Sequence, residues 1–289
     1  MANRKIVLLA LSAVLLASCA DNSAVTDGEK GVKDFEIRIV EKSAEASYHC
    51  VGDTTYGADV RLYTTASATL QWPEMLGNAN IKCLQDTLLA RCFGSESVTM
   101  PVGEAMRRYV SDPVTMDDGS QLEAVDTVPV SDAYNVRTLA KSIKASAVSV
   151  GRRVAVFKVD WFMYGGGAHP IYASSFVNFD VERSRVLTLS DIVKPGNDAA
   201  LATIVKNVLC EQYGVDSYEQ LQANYSINAE AVDYSLQHPV FYIDGEYVAF
   251  YFNPYEIGPW ATGTVEVQVP AFMLDDMLTP EAKILLGWQ

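Results

Sequence analysis

Four carboxylates stand in or beside aromatic, strand-like stretches: Asp160 in "VFKVDWFMY", Asp180 in "FVNFDV", Asp191 in "LTLSDI" and Glu256 in "FNPYEIG". Two carboxyl groups facing each other across a cleft are what glycoside or amide hydrolysis requires, one supplying a proton and the other acting as base or nucleophile. The sequence puts these four on separate elements without fixing any separation. An aspartate at a strand end or in the first turn of a helix also has an ordinary structural use.

The second chemical centre is "GGGAHP", Gly165 to Pro170. A phosphate loop is excluded, because the GxxxxGK[ST] and GxGxxG spacings are missing and a strand-like run follows where a helix N-terminus is needed. The glycines suit a tight connection between two strands, with Pro170 fixing its exit. His49, His169 and His238 are the three histidines. None sits in HExxH or a comparable spacing, so neither a metal site nor a cofactor is expected, and His169 is expected to hydrogen-bond nearby backbone. "MDDGSQLE", around Asp117 and Asp118, lacks the DxDxDG spacing of a calcium loop and reads as a solvated turn.

The loop "YFNPYEIGPWATG" concentrates Tyr251, Phe252, Tyr255 and Trp260 around Glu256. Exposed, such rings stack on sugars or anchor protein partners; buried, they fill a core at a sheet edge. Tyr251, Tyr255, Glu256 and Trp260 are the candidate binding residues.

These residues need elements to hold them. "FEIRIVEKS" and "ADVRLYTTASATLQW" alternate apolar and polar residues as half-buried strands do. A helix follows, with Asn78 as N-cap, Ile81, Leu84, Leu88, Leu89 and Cys92 on one stripe, and Gly94 at its close. A shorter helix is expected near Gly103 to Val110, then an acidic loop, "SDPVTMDDGSQLEAVDTVPVSD". "YNVRTLAKSIKASAVSV" and "RRVAVFKVDWFMY" flank Gly151 as a long hairpin, and "IYASSFVNFDV" and "VLTLS" add two strands. Ser190 is positioned to cap a helical turn through Asp191 and Ile192. A helix from Asp198 to Tyr213 buries Leu201, Ile204, Val205, Val208 and Leu209. Strands "PVFYI", "YVAFYF" and "TVEVQV" follow, Pro270 ends the last, and "AFMLDDML" is helical. The expected class is α+β with a mainly antiparallel sheet.

The first residues join Arg4 and Lys5 to an apolar run from Ile6 to Leu16, a secretory signal. The run is shorter than the about 20 residues that a membrane-spanning helix needs. Leu16-Ala17-Ser18-Cys19 resembles a bacterial lipobox, which implies cleavage before Cys19 and acylation of its thiol. More than one acyl chain makes a stable anchor, at about 0.8 kcal/mol per buried methylene. Ala20 in place of Asp suggests delivery to the outer membrane, on either face. The expected organisation is signal peptide 1–18, flexible tether 19–34, a first domain 35–180 and a second 181–289.

Cleavage removes two basic and no acidic residues, leaving 20 Lys and Arg against 36 Asp and Glu, a formal charge of −16. Nucleic acid and anionic lipid are poor partners for such a chain, whereas a basic protein is electrostatically permitted. Cys50, Cys83, Cys92 and Cys210 allow up to two disulfides in an oxidising compartment, or remain buried thiols. Cys83 and Cys92 are nine residues apart, on opposite faces if they share a helix, so they should not bond to each other.

"YGGGAHPIYASSFVNFDVERSRVLTLSDIV" followed by "FYIDGEYVAFYFNPYEIGPWATGTVEVQVP" resembles the paired domains of unknown function in the ectodomain of the RsiV anti-sigma factor. The same pair stands beside the catalytic domain in PdaC-type peptidoglycan deacetylases and in envelope lipoproteins. "LQWPEMLGNANIKCLQDTLLARCFG" resembles the helix near the start of the first domain. The resemblance implies a structural signature formed by Tyr164, Gly166, Gly167, His169, Pro170, Asn178, Asp180, Asn253 and Pro254, with His169 and Asn178 hydrogen-bonded near the junction of two halves. It also implies a binding role, since in RsiV these domains receive lysozyme, a basic protein. The expected function is therefore a non-enzymatic envelope lipoprotein that binds a cell-wall glycan or a basic protein such as lysozyme. A wall-polymer hydrolase and an envelope scaffold are the alternatives.

Overall fold

The structure, a computed structural model, describes residues 35–51, 62–112, 123–127 and 137–288. The signal peptide, Cys19, the tether and the Asp117–Asp118 turn lie outside the described residues. So do the side chains of His49 and Cys50.

Two long strands, β1 (Ile37–Val51) and β2 (Leu62–Leu76), pair antiparallel. Helices α1 (Lys82–Phe93) and α2 (Val102–Ser111) follow, then the short strand β3 (Glu123–Thr127), which adds to the outer side of β1. β3 is a correction: it lies inside the stretch expected to be an acidic loop, and its five residues become a strand through pairing with distant β1. The hairpin β4 (Arg137–Val150) and β5 (Val154–Tyr164) turns at Gly151, and β6 (Ile171–Asp180) and β7 (Arg185–Leu187) complete the sheet. Its order is β3-β1-β2-β4-β5-β6-β7, and all its pairs are antiparallel except β2 with β4.

The second unit begins with a helical turn, α3 (Leu189–Ile192), and the helices α4 (Asp198–Tyr213), α5 (Tyr218–Tyr225) and α6 (Ala229–Ser235). A three-stranded antiparallel sheet follows from β8 (Val240–Asp244), β9 (Tyr247–Phe252) and β10 (Val265–Pro270), in the order β10-β9-β8. A 3-10 turn, Ala271–Leu274, and α7 (Pro280–Leu285) end the described chain. The class is α+β, and among the described residues no helix is long and apolar enough to cross a membrane.

The helix starts differ from expectation. α1 begins after Ile81 with no side-chain cap from Asn78; Asn80 Oδ1 accepts from Lys82 N at 3.1 Å instead. α3 is capped by Thr188, not Ser190, because Thr188 and Asp191 form a reciprocal capping box. Ile204 is only partly buried against the core that holds Leu201, Val205 and Leu209.

Packing produces four layers. One core joins α1 and α2 to the inner face of the large sheet through Leu84, Leu88 and Met106 against Leu70, Phe157 and Phe179. A second packs α4, through Leu201, Val205 and Leu209, against Val248, Phe250 and Val267 of the small sheet. The two sheets meet in a smaller patch, where Val156 and Phe176 of the large one pack on Tyr242 and Ala249 of the small one. The second core begins at Leu187, which still belongs to the last strand of the large sheet. Cys83, Cys92 and Cys210 are free thiols, and burial pushes the Cys92 thiol up to about 12.

Candidate functional site

The motif resolves into two neighbouring structures, one buried and one partly exposed. In the buried one, the main-chain edges of the two sheets are capped by side-chain amides. Asn178 of β6 donates from Nδ2 to Phe241 O at 2.9 Å and accepts at Oδ1 from Ile243 N at 3.0 Å. Asn253, just beyond β9, returns the arrangement: its Oδ1 accepts from Ser174 N at 2.6 Å and its Nδ2 donates to Ser174 O at 3.1 Å. An amide offers a donor and an acceptor side by side, which is what one residue of a missing strand would offer. Each sheet thus lends an asparagine to the other's edge.

Charged groups close both ends of this seam. Asp180 is fully buried (0% exposed) and accepts from Arg183 N at 2.9 Å and from Arg183 Nη1 at 3.1 Å. Arg183 and Arg185 both reach Glu281 of α7, and Arg185 also pairs with Asp191 at 2.6 Å. Burial opposes ionisation of Asp191, but the Thr188 amide and hydroxyl and the Arg185 guanidinium outweigh it and hold the carboxyl below its ordinary range. At the other end, Asp160 binds Lys158 at 2.9 Å and accepts from Ser174 Oγ at 2.6 Å. Burial works against the Lys158 ammonium, yet its bond to Asp160 prevails and its pKa lies above the ordinary lysine value. Glu256 accepts from Asn253 N at 3.1 Å and from Asn253 Nδ2 at 3.2 Å. All four carboxylates singled out by sequence are therefore engaged with cations, hydroxyls or amides. Among the described residues no group of three or more His, Cys, Asp or Glu side chains is placed to hold a metal ion.

The other is an aromatic platform in which Tyr255 is exposed and His169, Tyr172 and Trp260 are half-buried. Gly166 takes φ 96° in the GGGAHP connection, and Tyr164 OH donates to Gly167 O at 3.2 Å, closing the turn on itself. The connection delivers His169, whose Nδ1 lies 3.0 Å from Pro170 O and whose ring stacks on Trp260 at 4.3 Å and 18°. Trp260 Nε1 donates to the same Pro170 carbonyl at 3.1 Å, and Tyr172 stands edge-on to the indole at 6.4 Å. Tyr255 OH lies 3.1 Å from His169 Nε2 while its ring remains 62% exposed. Tyr255 also holds φ 73°, a left-handed conformation that tyrosine adopts only at a cost of about 1–2 kcal/mol. Pro254 precedes it in the turn. Gly258 is required for close approach: a Cβ there would stand 2.8 Å from Ser226 O.

Two residues of the aromatic loop, the expected binding residue Tyr251 and its neighbour Phe252, are not on this surface. Tyr251 is a correction: it is 8% exposed, and its ring meets Phe176 edge-on beneath the Lys158 ammonium. The reason is that β9 is covered on both faces, so its alternate residues are all interior, as its uninterrupted aromatic and apolar run signals. Phe252 is buried in the second core for the same reason. Glu256 spends its carboxylate on Asn253, while Tyr255 and Trp260 come together with His169. Sequence reasoning missed Ser174 and Tyr172, whose alternation with Phe176 and Asn178 on one face of β6 was the available signal.

The fold is similar to that of solved DUF3298 proteins. A DUF3298 family member from Bacteroides fragilis is similar over 87% of this chain and 96% of its own, with TM-score 0.63 and 22% identity. A DUF3298 family protein from Pseudomonas aeruginosa PAO1 covers 84% of this chain and 96% of its own, with TM-score 0.50 and 12% identity. The profile of the family described as a protein of unknown function, DUF3298, matches residues 190–271, from α3 through β10. No curated protein matches the chain.

Proposed function

We propose that this chain is a non-enzymatic binding protein of the bacterial cell envelope, anchored by lipid at Cys19 on the outer membrane, whose aromatic platform takes a sugar ring of a cell-wall glycan. The observation that carries the reading is Tyr255: an exposed ring held in a left-handed backbone conformation and braced by His169. Strain of this kind is retained where the surroundings over-determine it, and it concentrates at ligand-binding positions. Rings fixed before binding lose little freedom when a ligand stacks on them. The engagement of Asp160, Asp180, Asp191 and Glu256 supports binding over hydrolysis.

The test uses soluble muropeptides as probe in a thermal-shift and calorimetric titration. A ligand at 100 times its dissociation constant stabilises the fold by about 2.7 kcal/mol. Tyr255→Ala combined with Trp260→Ala abolishes that stabilisation on this reading; binding that survives the double change sinks it. The second reading, a basic protein such as lysozyme as ligand, draws on the −16 charge and on the resemblance to the RsiV ectodomain. Its mark is a lysozyme-induced shift that weakens with salt.

A further inference from the structure

The three-stranded sheet has one capped edge and one open edge, and the open edge carries a groove. Gly245 and Glu246 form a two-residue turn, so Asp244 and Tyr247 exchange both main-chain bonds, as do every second pair along β8 and β9. Val248 and Phe250 of β9 therefore bond to β10. Ala271 N donating to Glu246 O at 2.8 Å fixes the same phase from the other side. It follows that Val265, Val267 and Val269 direct their N–H and C=O groups toward β9, while Glu266, Gln268 and Pro270 direct theirs away from it. Among the described residues no strand lies on that side. Pro270, which has no N–H, sits in the outward phase where none is missed.

Along this edge runs a groove of about 540 Å³, lined on one side by Glu266 and Gln268 and on the other by Val208 and Glu211 of α4, with Met273 at its end. Its lining holds two carboxylates and no cation. Glu266 is held in place by Tyr242 OH and by Gln268 Nε2, each at 2.8 Å. Phe272, 71% exposed, adjoins Met273.

The geometry points to β10 as a docking strand for an extended, basic segment of a partner protein, which pairs with the main chain of Glu266 and Gln268 and places its cations against Glu211 and Glu266. A second copy of this chain is disfavoured, because two such edges would set Glu266 against Glu266. The site is separate from the aromatic platform and does not depend on the glycan reading.

The probe is an acetylated and amidated peptide of four Lys-Val repeats, titrated against the full chain by fluorescence anisotropy. It binds about tenfold more tightly than the matching Glu-Val peptide, and amide exchange slows at Glu266 and Gln268 in the complex. N-methylation of alternate peptide amides, or Gln268→Pro in the protein, weakens binding about tenfold, whereas Tyr255→Ala leaves it unchanged. Gln268→Pro removes the outward N–H together with the Nε2 contact to Glu266, so Gln268→Ala, which loses only that contact and should still bind, is its control, and the fold of both is verified by an unaltered urea midpoint. Binding that resists N-methylation, protection elsewhere, or no binding at 1 mM peptide overturns the proposal; the first of these would reduce it to charge attraction alone.

Discussion

β8 and β10 are the two outer strands of one small sheet, yet they meet opposite fates. At β8 the Phe241 carbonyl and the Ile243 N–H, which face outward, are taken by a single asparagine from another sheet. At β10 those of Glu266 and Gln268 face a groove with acidic walls. An unpaired strand edge is a liability that proteins either cover or charge. Here the covered edge holds the molecule together, and the charged one remains able to pair. The contrast separates what the GGGAHP–NFD–FNPYE motif does for the fold from what the rest of the second unit offers to a partner.

The largest effect is expected at the capped edge. Asn178→Leu leaves one donor and one acceptor buried without partners and should cost about 3 kcal/mol, read from the urea midpoint. Asn253→Ala strips Ser174 of two bonds and Glu256 of the bond from Asn253 Nδ2, leaving the one from the Asn253 main-chain N–H, at about 2 kcal/mol. If both asparagines hold one junction, the double variant costs less than the sum; strict additivity would show two independent clips and break the reciprocal picture.

A smaller, pH-dependent effect lies away from both edges. Burial lowers the Lys141 ammonium, which sits 4.3 Å over the Tyr109 ring, to about 8 from an ordinary 10.5, a nearby Asp112 acting in the opposite direction. Between those values the unfolded chain keeps a proton that the folded chain has released, so this lysine's contribution to stability rises with pH across the window. Lys141→Met should therefore be more stable than the parent at pH 7, with the advantage shrinking toward pH 10.5. A constant difference between the two midpoint curves would rule this out. Tyr255→Gly trades the His169 contact and ring packing for backbone relief and should stay within about 1 kcal/mol of the parent. Gln268→Pro, at the open edge, should be smallest of all, within about 0.5 kcal/mol. A large loss there would mean that β10 already has a partner on its outer side.

The long strands, the hairpin at Gly151, α4 and the role of GGGAHP as a tight connection were all legible, because period and turn chemistry are local. What escaped was non-local. β3 exists only by pairing with β1, and α5 and α6 are short helices set by the Ser217 and Asn228 caps in a stretch assigned to no element. Tyr251 and Tyr255 stand four residues apart in one aromatic stretch, and nothing local tells that the first is interior and the second exposed. That depends on which sheet covers β9. Asn178 was expected to be hydrogen-bonded near the junction from resemblance alone; that Asn253 answers it across the seam becomes visible only once Ser174 is seen beside it.

The parallel pair in the large sheet carries a consequence for how the molecule forms. Leu62 pairs with Arg137 and Leu70 with Ala145, a constant separation of 75 residues, while β1 meets β2 and β4 meets β5 as near neighbours in sequence. The two hairpins can form early and independently. Joining them requires closing the loop that contains both helices, a step whose entropy is spent before its contacts are gained. This closure, with the comparably distant pairing of β1 and β3, should therefore weigh most on refolding speed. Until it occurs, β2 waits with its far edge bare.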